Sequence, residues 1–381
     1  DMRERAARLR ECADVAATRM RDQTLSASLW DEVLTIDPND AVALEHLERL
    51  YEREKDWERF ADVLARRVQG IDADEERAQA LLRLGQVQYD RLGRTEDAVA
   101  TYEELLSLDP ENFRAKDAIK KAYIELEDWD KLESFFGRSD AWAEYVRQLE
   151  ALVGTIKQPG TQVDLLFRAA DVWSERLGDS ARATKALERV LSIDERNHDA
   201  AVRLVPVYEE RQDFKRLPAL LEVVLERDGE PGSRAALMVK LARIAAERTR
   251  DWSAAFRWYG SALDEAPTRV DVLDDLEAAA RATQQWRAFE RHVSEARAML
   301  AGDASHQSGW LKMSLQLGRV YDAELGDATS ALVCFDEVLS VSPGDATALD
   351  AKDAIYTRLG EWDALLEVLE TKLGEAAIRS E

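Results

Sequence analysis

Four histidines, two cysteines and 76 carboxylates are the chemical raw material of this 381-residue chain. A metal site or a nucleophile–base pair needs such groups at set spacings, for example His at i, i+4 on one helix face. His46, His198, His292 and His306 stand far apart, and none adjoins a cysteine. There is no glycine-rich phosphate loop ending in Lys-Ser/Thr and no nucleophile elbow. Acidic pairs such as Asp274-Asp275 are expected by chance among so many carboxylates. Spacing thus supports no enzyme, cofactor or metal site. One stretch departs from the acidic background. Residues 233–258 carry Arg234, Lys240, Arg243, Arg248, Arg250 and Arg257 against Glu247 and Asp251. At i, i+3, i+7, i+10, helical geometry puts Lys240, Arg243, Glu247 and Arg250 on one face. Charge-assisted hydrogen bonds from such a face would suit an acidic peptide segment. Lys240, Arg243 and Arg250 are therefore the candidate partner-binding residues; ion pairing with flanking helices is the competing account.

The elements that position this face belong to a repeat. A 35-residue pattern starts at Trp30, Tyr102, Leu187, Tyr259 and Phe335 and aligns without gaps. Its fixed columns read Leu34, Leu106, Leu191, Leu263, Leu339; then Tyr51, Tyr123, Tyr208, Ala280, Tyr356; then Trp57, Trp129, Phe214, Trp286, Trp362. In the second copy, Leu105, Leu106 and Leu108 end one apolar helix face and Asp109-Pro110 breaks it. Ala115, Ile119, Ala122 and Tyr123 predict a second helix. Glu127-Asp128 stops that helix and caps a third through Trp129, Leu132 and Phe136. No such hairpin buries its own stripe, so neighbours must stack. The tryptophans are read as packing residues.

Copy starts lie 72, 85, 72 and 76 residues apart, so the larger period is about two hairpins. That divides one continuous array, 1–381, into units near 1–74, 75–161, 162–232, 233–309 and 310–381. The longest interval carries an insertion at 137–161, where Trp142, Tyr145, Val146, Leu149, Leu152 and Val153 predict an amphipathic helix and Lys157–Thr161 a loop. Pro206 falls inside a helix, where it should kink it, and Pro218 near a helix start. Arg227–Ser233 and Ala301–Gly309 read as linkers at which the array bends.

Composition agrees with helices: glycine and proline are scarce and 46% of residues are hydrophobic. The net charge of −24 opposes phosphate-backbone binding. Cys12 and Cys334 sit at opposite ends of the sequence and make no disulfide framework. No apolar run reaches membrane-spanning length.

Before three copies comes a helix stop, Leu92-Gly93, Leu177-Gly178 or Leu325-Gly326, and before the fourth Arg250-Asp251, then a small residue and an aromatic or leucine. Gly93, Ala98, Tyr102, Leu106, Asp109 and Pro110, and likewise Gly326, Ala331, Phe335, Leu339 and Pro343, resemble the tetratricopeptide repeat. The second hairpin of each unit resembles a degenerate copy, with Leu132 where the small residue is usual. Gly85 and Gly93, like Gly318 and Gly326, are eight apart, one more than in that family. The resemblance implies an all-α, right-handed superhelical solenoid of about ten hairpins with a concave inner face. The positions that would grip a terminal carboxylate hold Glu45 and Arg49, Asp117 and Lys121, Val202 and Pro206, Asp274 and Ala278, Asp350 and Ala354, unlike the family's clamp.

These readings lead to a non-enzymatic protein–protein interaction scaffold or adaptor that binds a partner segment or domain on the concave surface. The alternatives are a spacer or assembly element of a longer array, with self-association, and an RNA-processing scaffold, which the charge disfavours. No nucleic acid and no membrane insertion are expected. A bacterial, cytoplasmic protein is expected, with a periplasmic one as the alternative for an excerpted chain.

Overall fold

The computed structural model describes the backbone of residues 2–380 and the side chains of residues 2–374. All described regular structure is helical. It forms two compact units, residues 1–147 and 148–381. The first holds α1 (Met2–Val15), α2 (Gln23–Ile36), α3 (Ala41–Glu54), α4 (Trp57–Gln69), α5 (Asp74–Asp90), α6 (Thr95–Leu108), α7 (Phe113–Glu125) and α8 (Trp129–Gly137), and the division falls within α9 (Trp142–Thr155). The second continues with α10 (Pro159–Asp171), α11 (Ser180–Ile193), α12 (His198–Glu210), α13 (Leu217–Arg227), α14 (Pro231–Ile244) and α15 (Trp252–Glu265). It ends with α16 (Leu273–Thr283), α17 (Trp286–Leu300), α18 (Gln307–Ala323), α19 (Ala328–Val341), α20 (Ala346–Leu359) and α21 (Trp362–Ser380). Apart from α9, the helices fall into five groups of four, one group per copy. Apart from α9, helices within each unit pack on their chain neighbours, α4 on α5 and α14 on α15 for example. This is an α-solenoid of helical hairpins.

Local chemistry sets the boundaries. Side chains of Asp40, Asn112, Asn197 and Asp345 accept the backbone N–H three residues on and start the third helix of a group. Asp56 and Asp128 do the same for the fourth. Part of the acidic excess is thus spent on helix caps. Inside, the repeat columns are the core: Leu64, Phe136, Leu221 and Val293 are buried at one position, Phe60, Leu132, Leu217 and Phe289 at another.

The last turn of each group's first helix is widened. The backbone N–H of Asp22, Arg94, Asp179, Asp251 and Asp327 donates to the carbonyl six residues back, at 3.0, 2.8, 2.7, 2.9 and 2.8 Å. In three copies this turn is a π-helix, Ala16–Met20, Val172–Arg176 and Ala245–Thr249. In the other two, Gly93 and Gly326 take a left-handed backbone just beyond it. The extra residue in the Gly85–Gly93 spacing is absorbed here.

Three boundaries differ from the sequence reading. Lys157–Thr161 is not all loop, because Pro159 opens α10 with the φ it already prefers. In the segment before it, Tyr145, Val146, Leu149 and Val153 of α9 are buried. Arg227–Ser233 is not an open linker: α13 runs to Arg227 and α14 starts at Pro231, and Arg234 donates to the carbonyls of Leu225 at 2.8 Å and Asp228 at 3.1 Å. Ala301–Gly309 likewise contains a 3₁₀ turn and the start of α18, tied by Asp303. Pro206 lies within α12 on its exposed side, and Pro218 in the first turn of α13.

Candidate functional site: a basic groove beside α14

The basic face of α14 opens on a groove of about 520 Å³. Phe214, Leu217, Val239 and Ile244 form its apolar floor, and Lys240, Arg243, Arg248 and Arg269 its cationic wall, with Glu209 and Glu247 as the anions. The four cations differ in what they already hold. Lys240 pairs with Glu209 of α12. The Arg248 guanidinium lies 4.6 Å from the centre of the Phe214 ring. Arg269 makes a two-pronged pair with Asp271 at 2.8 and 2.9 Å, which holds that carboxyl below its usual range and raises the guanidinium. Arg243 hydrogen-bonds the Tyr259 side chain, whose pKa burial and then Asp275 push up to about 12. Among the described residues neither Arg243 nor Arg248 forms a salt bridge with a carboxylate. A second hollow of about 750 Å³ shares Phe214 and Arg248 and adds Arg211, Lys215 and Arg216. Of these Arg216 pairs with Glu188 at 3.1 Å.

Of the sequence candidates, Lys240 and Arg243 share the groove and Arg250 is not among its walls. The helical spacing breaks at the π-turn Ala245–Thr249, and Arg250 leaves the helix in a left-handed backbone at φ 59°. Arg248 and Arg269 were missed. Arg248 falls off the face only if the helix stays regular, and Arg269 arrives from the turn after α15.

Three of the four histidines meet a neighbouring side chain. His46 stacks on Trp30 at 4.8 Å. His306 contacts Asp303 at 2.9 Å. His292, buried in α17, meets both carboxylate oxygens of Asp264 at 2.7 and 2.9 Å. The described residues contain no group of three His, Cys, Asp or Glu placed to hold a metal ion. Cys12 and Cys334 are both free thiols.

Residues 79–112 match the family model described as tetratricopeptide repeat. The stretch runs from α5 across α6 to Asn112 and contains Gly85, Gly93, Ala98, Tyr102, Leu106 and Pro110. Among curated proteins nothing matches the chain. Solved structures with similar helical arrays include MamA, 17% identical over 46% of this chain and 96% of that one, TM-score 0.32. Yeast Tom70 is 11% identical over 99% and 95%, TM-score 0.29. The C-terminal part of a repeat-containing protein from Cytophaga hutchinsonii is 12% identical over 71% and 98%, TM-score 0.31. At such scores superposition places no residue of this chain. Residues 79–112 thus match a tetratricopeptide repeat, and the helix grammar of that stretch recurs in each group of the α-solenoid.

Proposed function

We propose that this chain is a non-enzymatic protein-interaction scaffold, and that the groove beside α14 receives an acidic segment of a protein partner. The observation that carries the reading is the state of Arg243 and Arg248. In a chain with 76 carboxylates, two groove-lining guanidiniums form no salt bridge among the described residues, Arg243 feeling Asp271 only at longer range. An incoming carboxylate would meet Arg243 and Arg248 directly and Lys240 and Arg269 by exchange, above an apolar floor that takes an adjacent side chain. Nucleic acid is disfavoured by the net charge of −24. No described helix is long and apolar enough to cross a membrane. The same reading assigns the chain to the cytoplasm, where Cys12 and Cys334 would stay reduced.

The test is affinity capture from native lysate with the unaltered chain, Arg243→Glu and Arg250→Glu as baits, followed by titration of the captured segment. Loss of the partner with Arg243→Glu and its retention with Arg250→Glu is the expected result. Retention by all three baits would remove the groove from consideration, and α9 would be the next surface to probe.

A further inference from the structure

The first helix of each group carries one position, 25 residues before the copy start, that reads Arg5, Arg77, Gln162, Arg234 and Trp310. In four copies a polar side chain there ties the helix to its surroundings. Arg5 pairs with Glu32 at 3.9 Å, and Arg77 with Glu104. Gln162 donates to the carbonyls of Val153 at 3.0 Å and Ile156 at 2.8 Å. Arg234 makes both kinds of tie. Its guanidinium group donates to the carbonyls of Leu225 and Asp228 and, at 2.7 Å, to Glu265, the last residue of α15. Val153 and Ile156 stand 34 and 31 residues before their copy start, and Leu225 and Asp228 stand at the same two places.

In the fifth copy this anchor is gone. Trp310 replaces the arginine, and Val341 stands where Glu265 does. Both residues line a hollow of about 290 Å³, together with Leu300, Ala301 and Ala304. This is at the lower edge of the roughly 300–1,000 Å³ of whole-ligand pockets and suits one side chain. The turn 301–306 replaces the shorter turn 228–230, and Ala301 and Ala304 hold its 34 and 31 places. Asp303 is the one charged residue of the lining. Bonds from the Ser305 hydroxyl, the His306 ring and the Ser305 N–H hold its carboxyl down to about 2. It is therefore an anion at any working pH. The Arg297 guanidinium lies 5.8 Å from the centre of the Trp310 ring and is itself paired with Glu337 at 2.7 Å.

We propose that this hollow is a socket for an arginine side chain of a partner protein, which supplies from outside the guanidinium that the fifth copy lacks. The arginine seats as Arg234 seats in its own copy. Its guanidinium meets the turn 301–306 and the charge of Asp303, and its methylenes lie on Trp310 and Leu300. Two features choose this occupant. An apolar side chain would gain nothing from Asp303 and would cover turn carbonyls that N–H donors fill in the third and fourth copies. A free arginine would bring a carboxylate, and no cation lines the hollow to receive it. The socket is separate from the groove beside α14 and does not depend on how that groove is read.

The probe is N-acetylarginine methylamide, titrated into the full chain and followed by saturation-transfer NMR. Its citrulline counterpart keeps the shape without the charge, and its norleucine counterpart keeps the apolar stem alone. Saturable binding of the arginine probe is expected, with both counterparts at least tenfold weaker and free arginine no tighter. Trp310→Arg with Val341→Glu rebuilds the pair of the fourth copy within the chain and should abolish saturable binding. Val341→Lys, at a position 39% exposed, sets a cation on the wall and should weaken binding at least tenfold. Circular dichroism checks that both variants fold, and Val341→Lys serves alone if the double change does not. Absence of saturation, a counterpart that binds within tenfold of the arginine probe, tighter binding of free arginine, or binding indifferent to a folded variant each overturns the proposal.

Discussion

Tyrosine hydroxyls in three copies donate to a carboxylate one residue into the copy: Tyr51 to Asp31 at 3.3 Å, Tyr123 to Glu103 at 2.8 Å and Tyr208 to Glu188 at 2.6 Å. The fourth copy has Ala280 and Gly260 at those two places and makes a different pair, His292 with Asp264. A Cβ on Gly260 would lie 2.9 Å from the His292 ring nitrogen, so the glycine makes room for the imidazole. Tyr123→Phe should cost about 1 kcal/mol, the worth of one such hydrogen bond, read as a lowered thermal midpoint. Burial, then Glu103, raises the Tyr123 pKa, and burial raises Tyr102 and Tyr259 to about 12. A free tyrosine titrates near 10, so between about pH 10 and 12 the folded chain holds protons that the unfolded chain has lost. The tyrosine contribution to stability is therefore constant below that window and falls as pH rises through it, which denaturant titrations from pH 9 to 12 would show. Gly85 has another role: a Cβ there would come within 2.6 Å of the Tyr102 ring. Gly85→Ala should destabilise by about 1–3 kcal/mol through overpacking, measured by the same denaturant series. The leucine, tyrosine and tryptophan columns were visible in the sequence. The acid beside four of the five copy starts was not, because a single polar residue per repeat adds nothing to the apolar pattern by which the copies are aligned.

Among elements, the joint between α4 and α5 depends on Glu48, which is 4% exposed and takes both Arg67 and Arg83. Either arginine alone still pairs the buried carboxylate, and removing both strands it. Single changes to alanine should cost about 1 kcal/mol each and the double change about 3 kcal/mol, a non-additivity that a double-mutant cycle in urea detects. The helices themselves were legible because apolar spacing recurs in every copy and breaks such as Asp37-Pro38 and Asp109-Pro110, with Asp and Asn caps, mark most of the boundaries. The basic face was legible only in part. Charge clustering found Lys240 and Arg243, but Lys240 also holds a joint, at the place of Arg83, and Arg250 is carried off the helix by the π-turn. The signal that separates joint from groove, a cation pair eight residues apart before the second, third and fourth copies, emerges only when the copies are compared ahead of their starts.

For the molecule as a whole, packing runs between helices adjacent or next-but-one in the chain, so each unit is a sequence of local contacts. Such arrays fold from nearest-neighbour terms and open from their ends. Amide hydrogen exchange should find α20 and α21 opening before α14 and α15, whose interface is more extensive and more deeply buried. The repeat read from five aligned copies foretold this local wiring. The widened turn closing each first helix has one more consequence, in angle. At about 100° per residue, eight residues of α-helix would leave Arg248 about 80° away from the bearing of Lys240. A π-turn advances only about 80° per residue, and it returns the arginine to nearly the same bearing. Seven residues of plain α-helix would reach that bearing too. The bulge is thus an insertion rendered silent: deleting the exposed Glu247 should straighten the helix, keep the guanidinium over Phe214 and leave the thermal midpoint almost unmoved, whereas adding one alanine beside it should swing the arginine out of the joint.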